Sequence, residues 1–129
     1  MGYASFILFQ AGQGDLDTAA IALAERGLPV ERAMGRYGDT LTVAYSDDPA
    51  LHITYAQEPY VQEEAEEIGA GTPFADALLL CDARFEILID DLDAALDEIN
   101  TLIEVQLTLQ HPINGFLFNT WNGQLSGPE

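Results

Sequence analysis

Few side chains in this chain have the type to do covalent or metal chemistry, and their spacing argues against each use in turn. His52 and His111 are the only histidines, and Cys81 is the only cysteine. No HxH, HxxxH or CxxC spacing brings imidazoles or thiolates onto one element, as zinc ligation requires. His52 lies with Thr54 on the polar side of an alternating segment, the place of an exposed or hydrogen-bonded imidazole. His111 follows a helical segment, where a partly charged ring suits the negative end of the helix dipole. Cys81 sits in an apolar run beside Asp82. Burial and a neighbouring carboxylate both raise a thiol pKa, the reverse of what a nucleophile needs. Gly12-Gln13-Gly14-Asp15-Leu16-Asp17 joins an apolar strand to a helix, the position of a phosphate loop. The dinucleotide fingerprint asks for a third glycine where Asp17 stands, and a phosphate loop asks for a lysine, which the chain lacks. Asp15 and Asp17 also place negative charge where an anion would bind. The segment reads as a tight turn and helix cap. Asp90-Asp91-Leu92-Asp93 and Asp47-Asp48-Pro49 lack the spacing of a calcium loop and read as a helix start and a turn. No catalytic, cofactor-binding or metal-binding residue is predicted, and no cofactor. A pair of carboxylates for glycoside hydrolysis carries no information in a chain with 22 acids.

The acids themselves are the stronger signal. They stand against four arginines (Arg26, Arg32, Arg36 and Arg84) and no lysine, for a formal net charge of −18. A field this one-sided attracts basic proteins and repels nucleic acid and anionic membrane. Solubility, adaptation to high salt and a GC-rich genome each favour such a composition as well. Two predicted helices concentrate the charge. One carries Glu58, Glu63, Glu64, Glu66 and Glu67; the other carries a stripe of Asp93, Asp97, Asn100 and Glu104. Like charges four residues apart cost a few tenths of a kcal/mol, and no base on either helix relieves them. Glu63, Glu64, Glu67, Asp93, Asp97 and Glu104 are therefore the candidate partner-binding acids. Trp121 is the candidate apolar anchor, with packing near a strand end as its other use.

These residues must be positioned by a succession of short elements. Ser5–Phe9 is a continuous apolar run, as expected of a strand covered on both faces. Asp15 caps a helix to about Arg26, ended by Gly27 and Pro29. Glu31–Tyr37 and Leu41–Ser46 read as strands joined at Gly38-Asp39, and Ser46–Pro49 as a turn into the alternating strand Leu51–Tyr55. Pro59 suits the first turn of a helix from about Glu58 to Ile68, with Val61, Ala65 and Ile68 inward. Phe74–Cys81 is open between a short helix and a strand. Phe85, Ile87 and Ile89 alternate as a strand. Asp90 or Asp91 then caps the longest helix, to about Gln110, whose core face is read as Leu92, Leu96, Ile99, Ile103 and Gln106. Gly115–Trp121 is a last strand before a polar tail; Phe116 and Phe118 face one way, Leu117, Asn119 and Trp121 the other. The expected fold is one α+β domain over residues 1–129: a mixed, largely antiparallel sheet of about five to six strands with three to four helices layered on it.

No apolar run reaches the ~20 residues of a membrane-spanning helix. Met1–Phe6 has no basic region ahead of its apolar stretch, so no signal peptide is expected. With a lone cysteine, these features predict a cytoplasmic protein. In size, acidity, α+β pattern and lack of catalytic residues the whole chain resembles the small acidic immunity proteins of bacteria. The resemblance implies a non-enzymatic protein that neutralises a basic toxin domain, often a nuclease, by plugging its active site or binding beside it. The partner implied is a basic protein, with no direct contact to nucleic acid or membrane. An acidic regulatory or nucleic-acid-mimic module docking on a basic protein is an alternative reading; a small enzyme with a carboxylate-based site is another.

Overall fold

The computed structural model describes residues 3–36, 38–44 and 50–128. The turn expected at Ser46–Pro49, the acids Asp47 and Asp48, and the expected strand positions Tyr37, Tyr45 and Ser46 lie outside the described residues.

Strand β1 (Tyr3–Phe9) is central, because its apolar run fills both faces of the sheet. Ile7 and Leu8, adjacent and therefore on opposite faces, are both wholly buried. Helix α1 (Leu16–Glu25) starts at a reciprocal cap: Asp15 Oδ1 accepts from the Thr18 N–H at 2.9 Å, and Thr18 Oγ1 accepts from the Asp15 N–H at 2.9 Å. Strands β2 (Val30–Gly35), β3 (Gly38–Val43) and β4 (Leu51–Ala56) follow as a meander. Gly38 and Asp39, expected as the turn, instead open β3, with Gly38 paired to Gly35. Helices α2 (Pro59–Gly69) and α3 (Ala75–Leu78) lead to β5 (Ala83–Ile89), resolving Phe74–Cys81 in favour of a short helix. A Cβ on Gly69 would stand 2.7 Å from Leu78 Cδ1, so this glycine lets α3 close on α2. Helices α4 (Leu92–Asp97) and α5 (Ile99–Gln110), a 3-10 turn, β6 (Phe116–Asn119) and β7 (Leu125–Ser126) complete the chain.

The described residues form one seven-stranded sheet, ordered β2-β3-β4-β5-β1-β6-β7, in which every pairing is antiparallel. The α+β class is as expected, with no parallel pair among the described residues and more elements than expected. Asn122-Gly123, with Gly123 at φ +71°, turns the tail back so that Leu125 and Ser126 pair with β6. The long helix divides at Glu98 (φ −107°, ψ 46°).

Helices cover both faces. Ile7, Phe9, Leu41, Ile53, Phe85 and Ile87 meet Leu16, Ala19 and Leu23 of α1, Ala95 of α4, and Leu102, Val105 and Leu109 of α5. Leu8 meets Val61 and Ala65 of α2, Leu78 of α3 and Cys81 on the other side. The expected inward row of α2 is correct. The expected core face of the long helix is correct only in part: Gln106 is buried and Leu92 packs on the core, but Leu96, Ile99 and Ile103 are 39, 38 and 43% exposed, while Leu102 and Val105 are buried. Helix α5 carries two apolar rows. Leu102, Val105 and Leu109, at i, i+3 and i+7 with the polar Gln106 at i+4, face the sheet; Ile99, Ile103 and Leu107 form the other. No helix among the described residues is long and apolar enough to cross a membrane.

Candidate partner-binding surface

Cys81, Asp15 and His52 each have intramolecular partners. Burial, and then Asp82, push the Cys81 thiol up to about 11. Its Sγ–H points to the Ala77 carbonyl at 3.7 Å. The Gly12–Asp15 turn is closed on itself: Gln13 Oε1 accepts from the Gln10 N–H, and Asp15 caps α1. His52 lies between Thr42 Oγ1, 3.2 Å from its Nδ1, and Asp90 Oδ2, 3.3 Å from its Nε2. The series looks like a nucleophile with its base and orienting acid. Thr42, however, lies between two antiparallel ladders, to β2 and β4, which engage the local backbone. These contacts link β3, β4 and the segment between β5 and α4. His111 is exposed in the 3-10 turn. No group of three or more His, Cys, Asp or Glu is placed to hold a metal among the described residues.

One open depression of about 330 Å³ is lined by acids: Asp15, Asp17 and Asp39, with Arg32, Leu16, Thr54 and Tyr55. Arg32 engages both sides of it. Its Nε and Nη2 donate to the two Asp39 oxygens at 3.0 and 2.7 Å, and its Nη1 pairs with Asp17. The Arg32 hydrogen bonds hold the Asp39 carboxyl below its ordinary range, and the two acids raise the arginine in turn.

The acids expected to form one binding face are split by the sheet. Glu63, Glu64 and Glu67 ride on α2, over the Leu8 face; Asp93, Asp97 and Glu104 ride on α4 and α5, over the Ile7 face. One flat contact cannot cover both groups. The alternation of β1 decides this, because helices that follow different strands were free to take opposite faces. Two of the acids also have intramolecular bases, against expectation. Arg84 is 4% exposed, stacks 3.9 Å over the Phe6 ring and donates to Glu86 Oε2 at 2.7 Å and to Glu64 Oε1 at 3.0 Å. Arg26 lies 3.7 Å from Glu104. Both pairs join residues far apart in sequence, so a scan along one helix misses them. Asp93 and Asp97 on one side, and Glu63 and Glu67 on the other, are exposed and enter no ion pair among the described residues. Trp121 is half-buried against the same core as α5, so it shares a face with Asp93 and Asp97 and not with the α2 acids.

The feature that sequence reasoning missed is apolar. Leu96, Ile99, Ile103 and Leu107 are 38–43% exposed along α4 and α5. The signal was present as a row at i, i+4, i+8 from Ile99, of which sequence reasoning assigns Ile99 and Ile103 to the core and leaves Leu107 unread. On α2 itself the one comparable side chain among the described residues is Tyr60. Leu79 and Leu80, 43 and 61% exposed, follow α3 beside it, where Gln62 Nε2 donates to the Leu79 carbonyl, and form no row along α2. The α4–α5 surface thus pairs uncompensated acids with uncovered apolar side chains.

Comparison with protein-family models, curated proteins and solved structures gives no match for this chain.

Proposed function

We propose that this chain is a non-enzymatic binding protein whose α4–α5 surface takes a basic protein partner, and that it acts as an immunity protein covering a toxin domain. The observation that carries this reading is the coincidence of Asp93 and Asp97, exposed and without ion pairs among the described residues, with half-exposed Leu96, Ile99, Ile103 and Leu107. Interfaces that bind tightly combine an apolar centre with a charged rim. Exposed ion pairs alone contribute only ~0–1 kcal/mol each, so acids without the apolar row would give fast but weak association. The net charge of −18 supports rapid encounter with a cationic partner. The bound roles of Cys81, His52 and Arg32 support a binding rather than a catalytic use. Glu64 and Glu104, already tied to Arg84 and Arg26, are secondary to Asp93 and Asp97 in this reading.

The test is co-expression. The gene adjacent to this one in its native genome is expressed in a sensitive host with and without the chain. Growth arrest relieved by the chain, together with a stable complex of the two purified proteins, supports the reading. Growth arrest that the chain does not relieve, or a bound partner that is itself acidic, contradicts it.

A further inference from the structure

We propose that the partner contributes an α-helix, amphipathic and basic along one flank, which lies in the shelf between α5 and the β6–β7 end of the sheet. This rests on the reading that the chain binds a basic protein, and adds where and in what form.

The orientation of α5 defines the shelf. Gln106 Nε2 donates to Ser5 Oγ of β1 at 2.8 Å and to Asn119 Oδ1 of β6 at 3.1 Å. Gln110 Nε2 donates to the Gly115 carbonyl at 3.0 Å. On the opposite flank Glu104 meets Arg26 at the end of α1, and Thr108 lines a groove with Thr18 and Ala22. Helix α1 therefore borders one side of α5, and β6 the other. Ile103 precedes Gln106 by three residues and Leu107 precedes Gln110 by three, so both stand on the β6 side. Gln106 lies opposite Asn119 and Gln110 opposite Gly115, so α5 runs antiparallel to β6. Ile99 and Ile103 thus lie toward the Trp121 end.

Helix α1 packs on β2 and β3, and α5 on β1 and β6. Beyond α5 no further helix covers this face among the described residues, and every residue of β6 and β7 is only half-buried. Leu117 and Trp121 present the sheet side of the shelf, packed on the same core as α5. The place is where the next helix of the layer would lie.

Its form suits a helix better than a strand. Ile99, Ile103 and Leu107 make an i±4 ridge ~12 Å long, which accepts the ridge of a second helix. Strand addition would use the free edge of β7, which is only two residues long. Charge selects the occupant. Asp93, Asp97 and Glu98 are exposed around the start of the ridge, within a chain of net charge −18, so an Arg- or Lys-flanked helix is attracted and a second copy of this chain is repelled.

The experiment uses the intact chain and three synthetic peptides of ~14 residues, long enough for three to four helical turns. One is a Leu/Lys amphipathic helix, the second a scrambled isomer of equal charge without the stripe, and the third a Leu/Glu helix. Binding is read at ~0.3 M NaCl, where long-range attraction is screened, from Trp121 fluorescence and amide shifts. The expected result is that the Leu/Lys helix binds at least ~10-fold tighter than its isomer, a difference of about one decade in Kd. The shift changes should fall on residues 96–107 and 117–121. Ile103→Asp and Leu107→Asp, at half-exposed positions, should each abolish that preference, while Glu63→Gln/Glu67→Gln leaves it. Equal binding of the two cationic peptides, or shifts centred on α2, overturns the helix seat while leaving an acid-driven binding protein standing. Self-association abolished by Ile103→Asp overturns it in favour of a second copy. Binding to none of the peptides even at low salt overturns the underlying reading as well.

Discussion

Helix α2 and the α4–α5 pair present similar acids in similar rows, Glu63 and Glu67 on one, Asp93 and Asp97 on the other. They differ in what lies beneath. On α2 the apolar positions Val61 and Ala65 are wholly buried, and Glu64 is tied down by Arg84. On α4–α5 the core is served by Ala95, Leu102, Val105 and Leu109, and a second apolar row is left at the surface. Acid density alone does not separate a solvated helix from a binding helix. Apolar surface in excess of what the core uses does, because burying it supplies ~25 cal/mol per Å².

The largest expected effect tests which row serves the core. Leu102→Ala should destabilise the fold by ~2–5 kcal/mol, the range for a buried leucine. Leu96→Ala should cost less than ~1 kcal/mol, because its side chain is already partly in water. Denaturant unfolding of the two variants decides the matter. If the two costs are reversed, α4–α5 is rotated and the contrast with α2 disappears.

A smaller effect is expected for the buried cation on the α2 side. Arg84→Ala should lower stability by about 2 kcal/mol, below the range for fully buried pairs because Glu64 and Glu86 retain some access to water. Arg84→Lys should recover only part of it, since a lysine cannot reproduce the fork shared between Glu86 and Glu64 or the stacking on Phe6. An Arg84→Ala variant as stable as the parent would show that α2 is not anchored in the way that sets it apart.

The smallest effect concerns Cys81, in the core beneath α2. Burial lifts its thiol from 9.0 to about 11. A folded pKa above the unfolded one means that the stabilisation is fully present below about 9 and is lost as pH rises through about 11. Native chain at pH 8 should therefore react with iodoacetamide at least ~10-fold more slowly than urea-unfolded chain, since the thiolate is the nucleophile. Equal rates would mean that the α2-side core is open to solvent.

Much of the fold was legible in sequence because its signals are local. The apolar run of β1, the caps at Asp15 and Asp91, Pro59 in the first turn of α2, and the alternation of Phe85, Ile87 and Ile89 each act within a few residues. The candidate surface was only half legible. Its acids could be named, but their division between two faces depends on which side of the sheet each helix takes. The pairs Arg84–Glu64 and Arg26–Glu104 close only in three dimensions. Helix α5 carries two apolar rows of similar spacing, and the break at Glu98 uncouples α5 from the phase of α4. Periodicity alone cannot say which row turns inward. Strand β7 was hidden because two residues, Leu125 and Ser126, are too short for a pattern; the Asn122-Gly123 turn was its only signal.

The central claim is that α4–α5 and not α2 meets the partner. It is tested most directly by the association rate of the purified partner with two double variants, Asp93→Lys/Asp97→Lys and Glu63→Lys/Glu67→Lys, at two salt concentrations. Both change the net charge by the same amount, so a difference between them reports position and not overall field. The expected result is that the α4 variant slows association by ~10-fold or more and flattens its salt dependence, while the α2 variant stays close to the parent. Equal slowing by both variants, or slowing by the α2 variant alone, contradicts the claim.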